Sequence, residues 1–148
     1  MTFKKLIEDR VTTWEAVRGR RTRVPGTTMA LGRGGLPHDL VQMIVEGVLG
    51  IKNGFWGSVA AGATFKSTGR KRNRPGQAVI AANRQGIAAA EHVVGEHYAR
   101  WQAGGATPTA SRFEEISDLW LRLGDGDELT LDWPSLTLTS ARAQPAAD

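Results

Sequence analysis

Two hydrophobic rhythms run along this chain, a strand-like one at its ends and a helix-like one between them. Residues 2–7, TFKKLI, and 11–17, VTTWEAV, are rich in β-branched and aromatic side chains and flank the charged EDR. That pattern predicts an antiparallel hairpin, and residues 20–30 extend it to a third strand before LGRGG interrupts the run. Residues 37–50 then change period: Pro37 suits a first helical turn and Gly50 a stop. A shorter helical segment follows over 55–64, and a long alanine-rich one over 77–102. In the long helix Ile87, Ala90, Val94, Tyr98 and Trp101 share one face, with Glu91 and His97 at its two edges.

SRFEEISDLWLRL predicts one more helix. Phe113, Ile116, Trp120 and Leu123 fall on one side of it, and Ser111 and Glu114 have capping-box spacing. LTLDW alternates Leu129, Leu131 and Trp133 against Thr130 and Asp132, a strand, and PSLTLTS adds a second short one. The expectation is one small α+β domain over 1–140. An N-terminal antiparallel hairpin or three strands comes first, then central helices, then a C-terminal helix and strand returning to the sheet. Residues 141–148, ARAQPAAD without its neighbours, read as a disordered tail.

The 37–50 helix carries the first candidate chemistry. At about 100° per residue, His38, Asp39, Gln42 and Glu46 lie within an arc of about 100°, while Leu40, Val41, Met43, Ile44, Val45 and Val48 fill most of the remainder. So narrow a polar stripe either looks out to solvent through a slot or lines a cavity. His38 and Glu46 are ordinary ligands for a divalent metal, whereas Gln42 between them is a poor one, and no H-E-x-x-H motif is present. Glu91 or His97 joins the stripe if the two helices pack together, as the small residues Ala88–Ala90 permit.

Composition narrows the classes. The chain has 148 residues, enough for one domain with a buried core, and its 41% hydrophobic and 23% charged residues match a globular rather than a disordered protein. It has no cysteine, which removes disulfides, thiolate metal sites and thiol nucleophiles together and fits a reducing compartment. No apolar run approaches the roughly 18 residues of a membrane span. The N-terminal segment reaches charge at Glu8, too soon for a signal-peptide core. These features predict a cytoplasmic protein without a membrane partner.

Charge changes the picture more. The net charge is +4, and the basic residues cluster: Arg18, Arg20, Arg21 and Arg23 in one run, and Arg70, Lys71, Arg72 and Arg74 in another between glycines. The second reads as an exposed loop able to neutralise phosphates in a salt-sensitive, sequence-blind way. No aromatic residue interleaves with its cations, so it offers no stacking platform for bases.

LPHDLVQMIVEGVLGIKNGFWG resembles the core of a group of small, largely uncharacterised bacterial proteins that carry P-H-D, a V-E pair and a G-F-W-G turn. The residues carrying the resemblance are Pro37, His38, Asp39, Val45, Glu46, Gly54, Phe55, Trp56 and Gly57. Gln42 stands where that pattern has a second histidine. The resemblance implies that the stripe matters and lends it no activity.

Three functions stay open. The leading one is a small non-enzymatic binding or accessory domain, homo-oligomeric or not and needing no cofactor, with the stripe of His38, Asp39, Gln42 and Glu46 as its site. The second is a metal-assisted hydrolase with His38 and Glu46 as ligands and Asp39 or Glu91 orienting them or acting as base. The third is nucleic-acid binding through the 70–74 loop with help from the arginines at 18–23.

Overall fold

A computed structural model describes residues 1–6, 11–20, 22–31, 35–65 and 73–142. Three N-terminal strands, β1 (Thr2–Leu6), β2 (Val11–Arg18) and β3 (Thr22–Met29), are followed by helices α1 (His38–Leu49), α2 (Phe55–Ala60), α3 (Arg74–Gln102) and α4 (Ala110–Arg122). Strands β4 (Glu128–Leu131) and β5 (Leu138–Arg142) then complete a five-stranded sheet of order β3-β2-β1-β4-β5. Every pairing is antiparallel. The chain is a single small α+β domain, as its two rhythms predict.

Period-two alternation decides the faces of the sheet. Phe3 lies opposite Trp14 on one side and Leu129 on the other, and all three are buried with Ala16, Val24 and Leu131 beneath the helices. The intervening Thr2, Lys4, Thr13, Glu15 and Thr130 point the other way, as the pleat requires. Helix α1 is the central element of the helical layer. Leu40, Val41, Met43, Ile44 and Val45 are each fully buried, so this helix is apolar because it meets neighbours on most sides. Gly50 ends it in the left-handed conformation (φ 67°), which glycine adopts without strain.

The boundaries differ from the predicted ones in instructive places. The long helix starts at Arg74, not 77: Asn73 caps it, its side chain accepting a hydrogen bond from the Gly76 N–H at 2.7 Å, and Pro75 occupies the first turn. Arg74 is thus helical, and Arg70, Lys71 and Arg72 lie outside the described residues. Helix α2 ends at Ala60, four residues early.

Helix α4 begins at Ala110 after Thr109, with no side-chain cap bond, so the capping box of Ser111 and Glu114 does not form. The Lys5 ammonium instead closes the other end of α4, donating to the carbonyls of Trp120 and Leu123 at 2.9 and 2.8 Å. Trp133 leaves the strand pattern for a turn and is half-buried, while β5 reaches Arg142, two residues into the segment read as tail; residues 143–148 lie outside the described ones.

Candidate functional site: the polar stripe of α1 and the basic end

The stripe of α1 faces inward. Asp39, Gln42 and Glu46 are buried, and only His38 keeps about half of its side chain exposed. Asp39 sits where the first turn of α1 passes under the sheet. Its Oδ2 accepts the Trp14 indole N–H at 2.9 Å, its Oδ1 lies 3.1 Å from His38 Nδ1, and its own backbone N–H donates to Thr28 Oγ1 at 3.0 Å. Its carbonyl accepts the Trp56 indole N–H at 2.8 Å. One residue thereby ties β2, β3, α1 and α2 together.

His38 is held by that carboxylate, which raises its pKa above the ordinary histidine value; Glu91 on α3 is near enough for its charge to add to the effect. Replacing Asp39 by asparagine removes the larger cause. In an NMR titration the His38 midpoint is therefore expected to fall in Asp39→Asn, and an unmoved midpoint would show that Asp39 does not govern it.

Glu46 is fully buried, two turns farther along α1. The N–H groups of Phe55 and Trp56 each donate to one of its carboxyl oxygens at 3.1 Å. Gly54 makes room for this arrangement, since a Cβ there would overlap the carboxyl group. The turn 54–57 is therefore a cradle for the side chain of Glu46. Burial pushes the Glu46 pKa up to about 7, against the lowering effect of the N–H groups around it. Gln42 lies beside the carboxyl group and contributes to the same lowering, yet its Nε2 makes no hydrogen bond of acceptable geometry.

Trp56, fully buried, joins the two halves of the stripe by donating its indole N–H to Asp39 and its backbone N–H to Glu46. Its ring meets those of Phe3, Trp14 and Phe55 edge-on, with centroids 5.9, 4.8 and 5.1 Å away.

The expected companions of the stripe part company. Glu91 comes near His38, while His97 sits elsewhere, its Nδ1 3.0 Å from Thr109 Oγ1 at the start of α4. His38 and Glu46 are separated by about 12 Å of helix rise, and both oxygens of Glu46 are occupied by N–H donors. Among the described residues no three His, Asp or Glu side chains converge on a point that could hold a metal ion.

A second feature forms at the end of the sheet where β2 turns into β3. Arg18 Nη1 donates to the Val59 carbonyl at 3.1 Å, and the same guanidinium packs against Gly62. Five residues on, Thr64 accepts from Gln77 Nε2 at 3.1 Å through its carbonyl, and its side chain packs on Gly76 in the first turn of α3. The segment 59–64 thus bridges the turn bearing Arg18 and Arg20 to the helix start bearing Arg74, a gap of at most about 17 Å. Asp125, Asp127 and Glu128 lie at the opposite end of the sheet, where the Lys5 N–H meets the Asp127 carbonyl and Lys4 pairs with Glu128.

Arg23 faces the other side of the sheet in an ion pair with Glu15 at 2.6 Å. No helix among the described residues is long and apolar enough to cross a membrane. No family model, curated protein or solved structure matches the chain.

Proposed function

We propose that this protein is a small binding domain for a polyanion, the phosphate backbone of a nucleic acid, and that it binds through the end of the fold that carries Arg18, Arg20 and the Arg74 start of α3. One observation carries the reading. The 59–64 segment joins Arg18, in one basic run, to the first turn of α3, which begins with Arg74 of the other, some fifty residues on in sequence. Arg18, Arg20 and Arg74 are the described cations of that surface. Lys66, Arg70, Lys71 and Arg72 follow in the sequence between Phe65 and Asn73 and lie outside the described residues.

The amino-terminal end of the 29-residue α3 adds its positive dipole. The excess of positive charge, with a pI near 10, has the sign such a partner needs. The α1 stripe serves the architecture in this reading, because Asp39 and Glu46 are engaged with the protein's own N–H groups.

Such binding is electrostatic and indifferent to sequence. Fluorescence anisotropy on mixed-sequence DNA and RNA oligonucleotides at 50 and 200 mM salt tests it. About four phosphate contacts predict a loss of roughly a hundredfold in affinity between those salt concentrations. Replacing Arg20 and Arg74 by alanine, together with Arg70, Lys71 and Arg72, is expected to flatten that dependence while leaving the melting temperature unchanged. Absence of binding at 50 mM salt, where attraction is strongest, would reject the reading.

A further inference from the structure

The three asparagines of the chain stand in different chemical situations. Asn73 caps α3, its side chain accepting from the Gly76 N–H at 2.7 Å, and Asn83 Nδ2 donates to Ser58 Oγ at 3.0 Å. Each is followed by an arginine of α3. Asn53 instead lies exposed in the turn between α1 and α2 and is followed by Gly54. Its carboxamide makes no hydrogen bond among the described residues; it rests on α3 at Gly86, where a Cβ would overlap it. The Gly54 N–H has no partner among them either, and a main-chain N–H that the protein leaves unpaired is one that water satisfies.

These are the two groups that react when an asparagine cyclises. The main-chain nitrogen of residue 54, having given its proton to hydroxide, attacks Cγ of Asn53. A bond forms between that nitrogen and Cγ, the Cγ–Nδ2 bond breaks, and ammonia leaves with a proton taken from water. The resulting five-membered succinimide takes up one water at either carbonyl. It opens to aspartate or, with the main chain rerouted through the side chain, to isoaspartate. Glycine favours the attack, because it has no Cβ to crowd the nitrogen and its backbone follows the ring geometry freely. Closure needs rotation about the bonds of Asn53 alone, and no hydrogen bond opposes it. The other pair with glycine in second place, Asp125–Gly126, is restrained, since the Gly126 N–H donates to the Lys5 carbonyl at 2.6 Å.

We propose that Asn53–Gly54 is a self-modification site: in the folded protein the Gly54 nitrogen displaces ammonia from the Asn53 carboxamide, and the turn that holds Glu46 gains a carboxylate and, in the isoaspartyl product, one more main-chain atom. The position gives the change its effect. Gly54 borders the Glu46 carboxyl group, and the Phe55 and Trp56 N–H groups that hold that carboxyl group follow directly. A longer main chain at residue 53 displaces those donors, and the new carboxylate stands where the carboxamide met α3. The modified protein is therefore less stable, and its accumulation records elapsed time and alkalinity. None of this depends on what the basic end binds.

Incubation of the full chain at 37 °C and pH 8, followed by peptide mapping with mass spectrometry, tests the proposal. A synthetic peptide of residues 50–57 gives the rate without the fold. If only unfolded molecules reacted, at an unfolded fraction of about 10⁻³ or less, the protein would lag the peptide by about a thousandfold or more. The folded chain is expected instead to react within about tenfold of the peptide, far above the rate that passage through the unfolded state allows. Conversion is expected at Asn53 with Asn73 and Asn83 intact, and is expected to vanish in Asn53→Gln, whose side chain would have to close a slower six-membered ring. A protein lagging the peptide by about a hundredfold or more, or losing Asn73 or Asn83 as fast as Asn53, overturns the proposal. The isoaspartyl form, separated chromatographically, is expected to melt below Asn53→Asp, which has the charge without the longer main chain. Equal melting of the two overturns the claim that the Glu46 turn feels the extra atom.

Discussion

Trp56→Ala is expected to lower stability by about 4 kcal/mol, close to the whole stability of a modest domain. The ring is fully buried and edge-packed on Phe3, Trp14 and Phe55, so its removal leaves a cavity lined by rigid neighbours that cannot collapse into it. It also removes the indole N–H that the Asp39 carbonyl accepts at 2.8 Å. In urea the unfolding midpoint should fall by about 2 M. Trp56→Phe keeps most of the volume without the donor, and the difference between the two variants isolates the packing contribution. A loss under about 1 kcal/mol in Trp56→Ala would mean that the aromatic cluster does not organise this core.

Gly57→Ala should be nearly as damaging, for a different reason. A Cβ at this position overlaps the carbonyl of Lys52, and a backbone group cannot swing aside as a side-chain end can. Either α2 or the 52–54 turn must shift, and both are fastened to Glu46. The expected cost is about 3 kcal/mol, typical of severe overpacking, with a visible change in tryptophan fluorescence. Gly54→Ala provides the contrast. There the clash is with the Glu46 carboxyl group, which can leave its cradle, so a smaller loss is expected, accompanied by a Glu46 pKa moved back toward the ordinary range. Chemical denaturation of the two variants side by side decides the order, and a Gly57→Ala protein as stable as wild type would contradict the account of the turn.

Much of this architecture was legible in the chain, and the limits of legibility have a physical pattern. Alternation identified the buried faces of the terminal strands because a half-covered antiparallel sheet imposes it locally: Phe3, Trp14, Leu129 and Leu131 all point where period two puts them. The helix 37–50 was equally plain. What local pattern could not supply was the partner of its polar stripe. A stripe of His38, Asp39, Gln42 and Glu46 looks the same whether it faces water, a ligand or other parts of its own chain. The answer lay in the Trp14 indole, 25 residues from Asp39, and in the N–H groups of a turn that reads as two aromatic residues between glycines.

The start of α3 is a different case, because Asn73 followed by Pro75 is a readable N-terminal signal that the surrounding run of cations obscured. His97 looked like a companion of the stripe through its place on a helix edge, but edge position does not say which neighbour lies alongside, and the neighbour proved to be Thr109. The link from Arg18 to the first turn of α3 depended on the path of residues 59–64, which no periodicity encodes.

The strand order has a consequence for biosynthesis. β1, first of the five described strands in chain order, is the middle of the finished sheet, and one of its edges is closed only by residues 128–131, which are translated after all four helices. The β1–β2–β3 meander can form early, from neighbours in sequence, but until β4 arrives the core-lining Phe3 sits on a strand with a row of unpaired N–H and C=O groups. Such an edge is a template for pairing with another nascent chain. The long sequence separation of the final pairing slows its closure and lengthens that exposure. The exposed edge of β1 is therefore most vulnerable in the interval before β4 has been made.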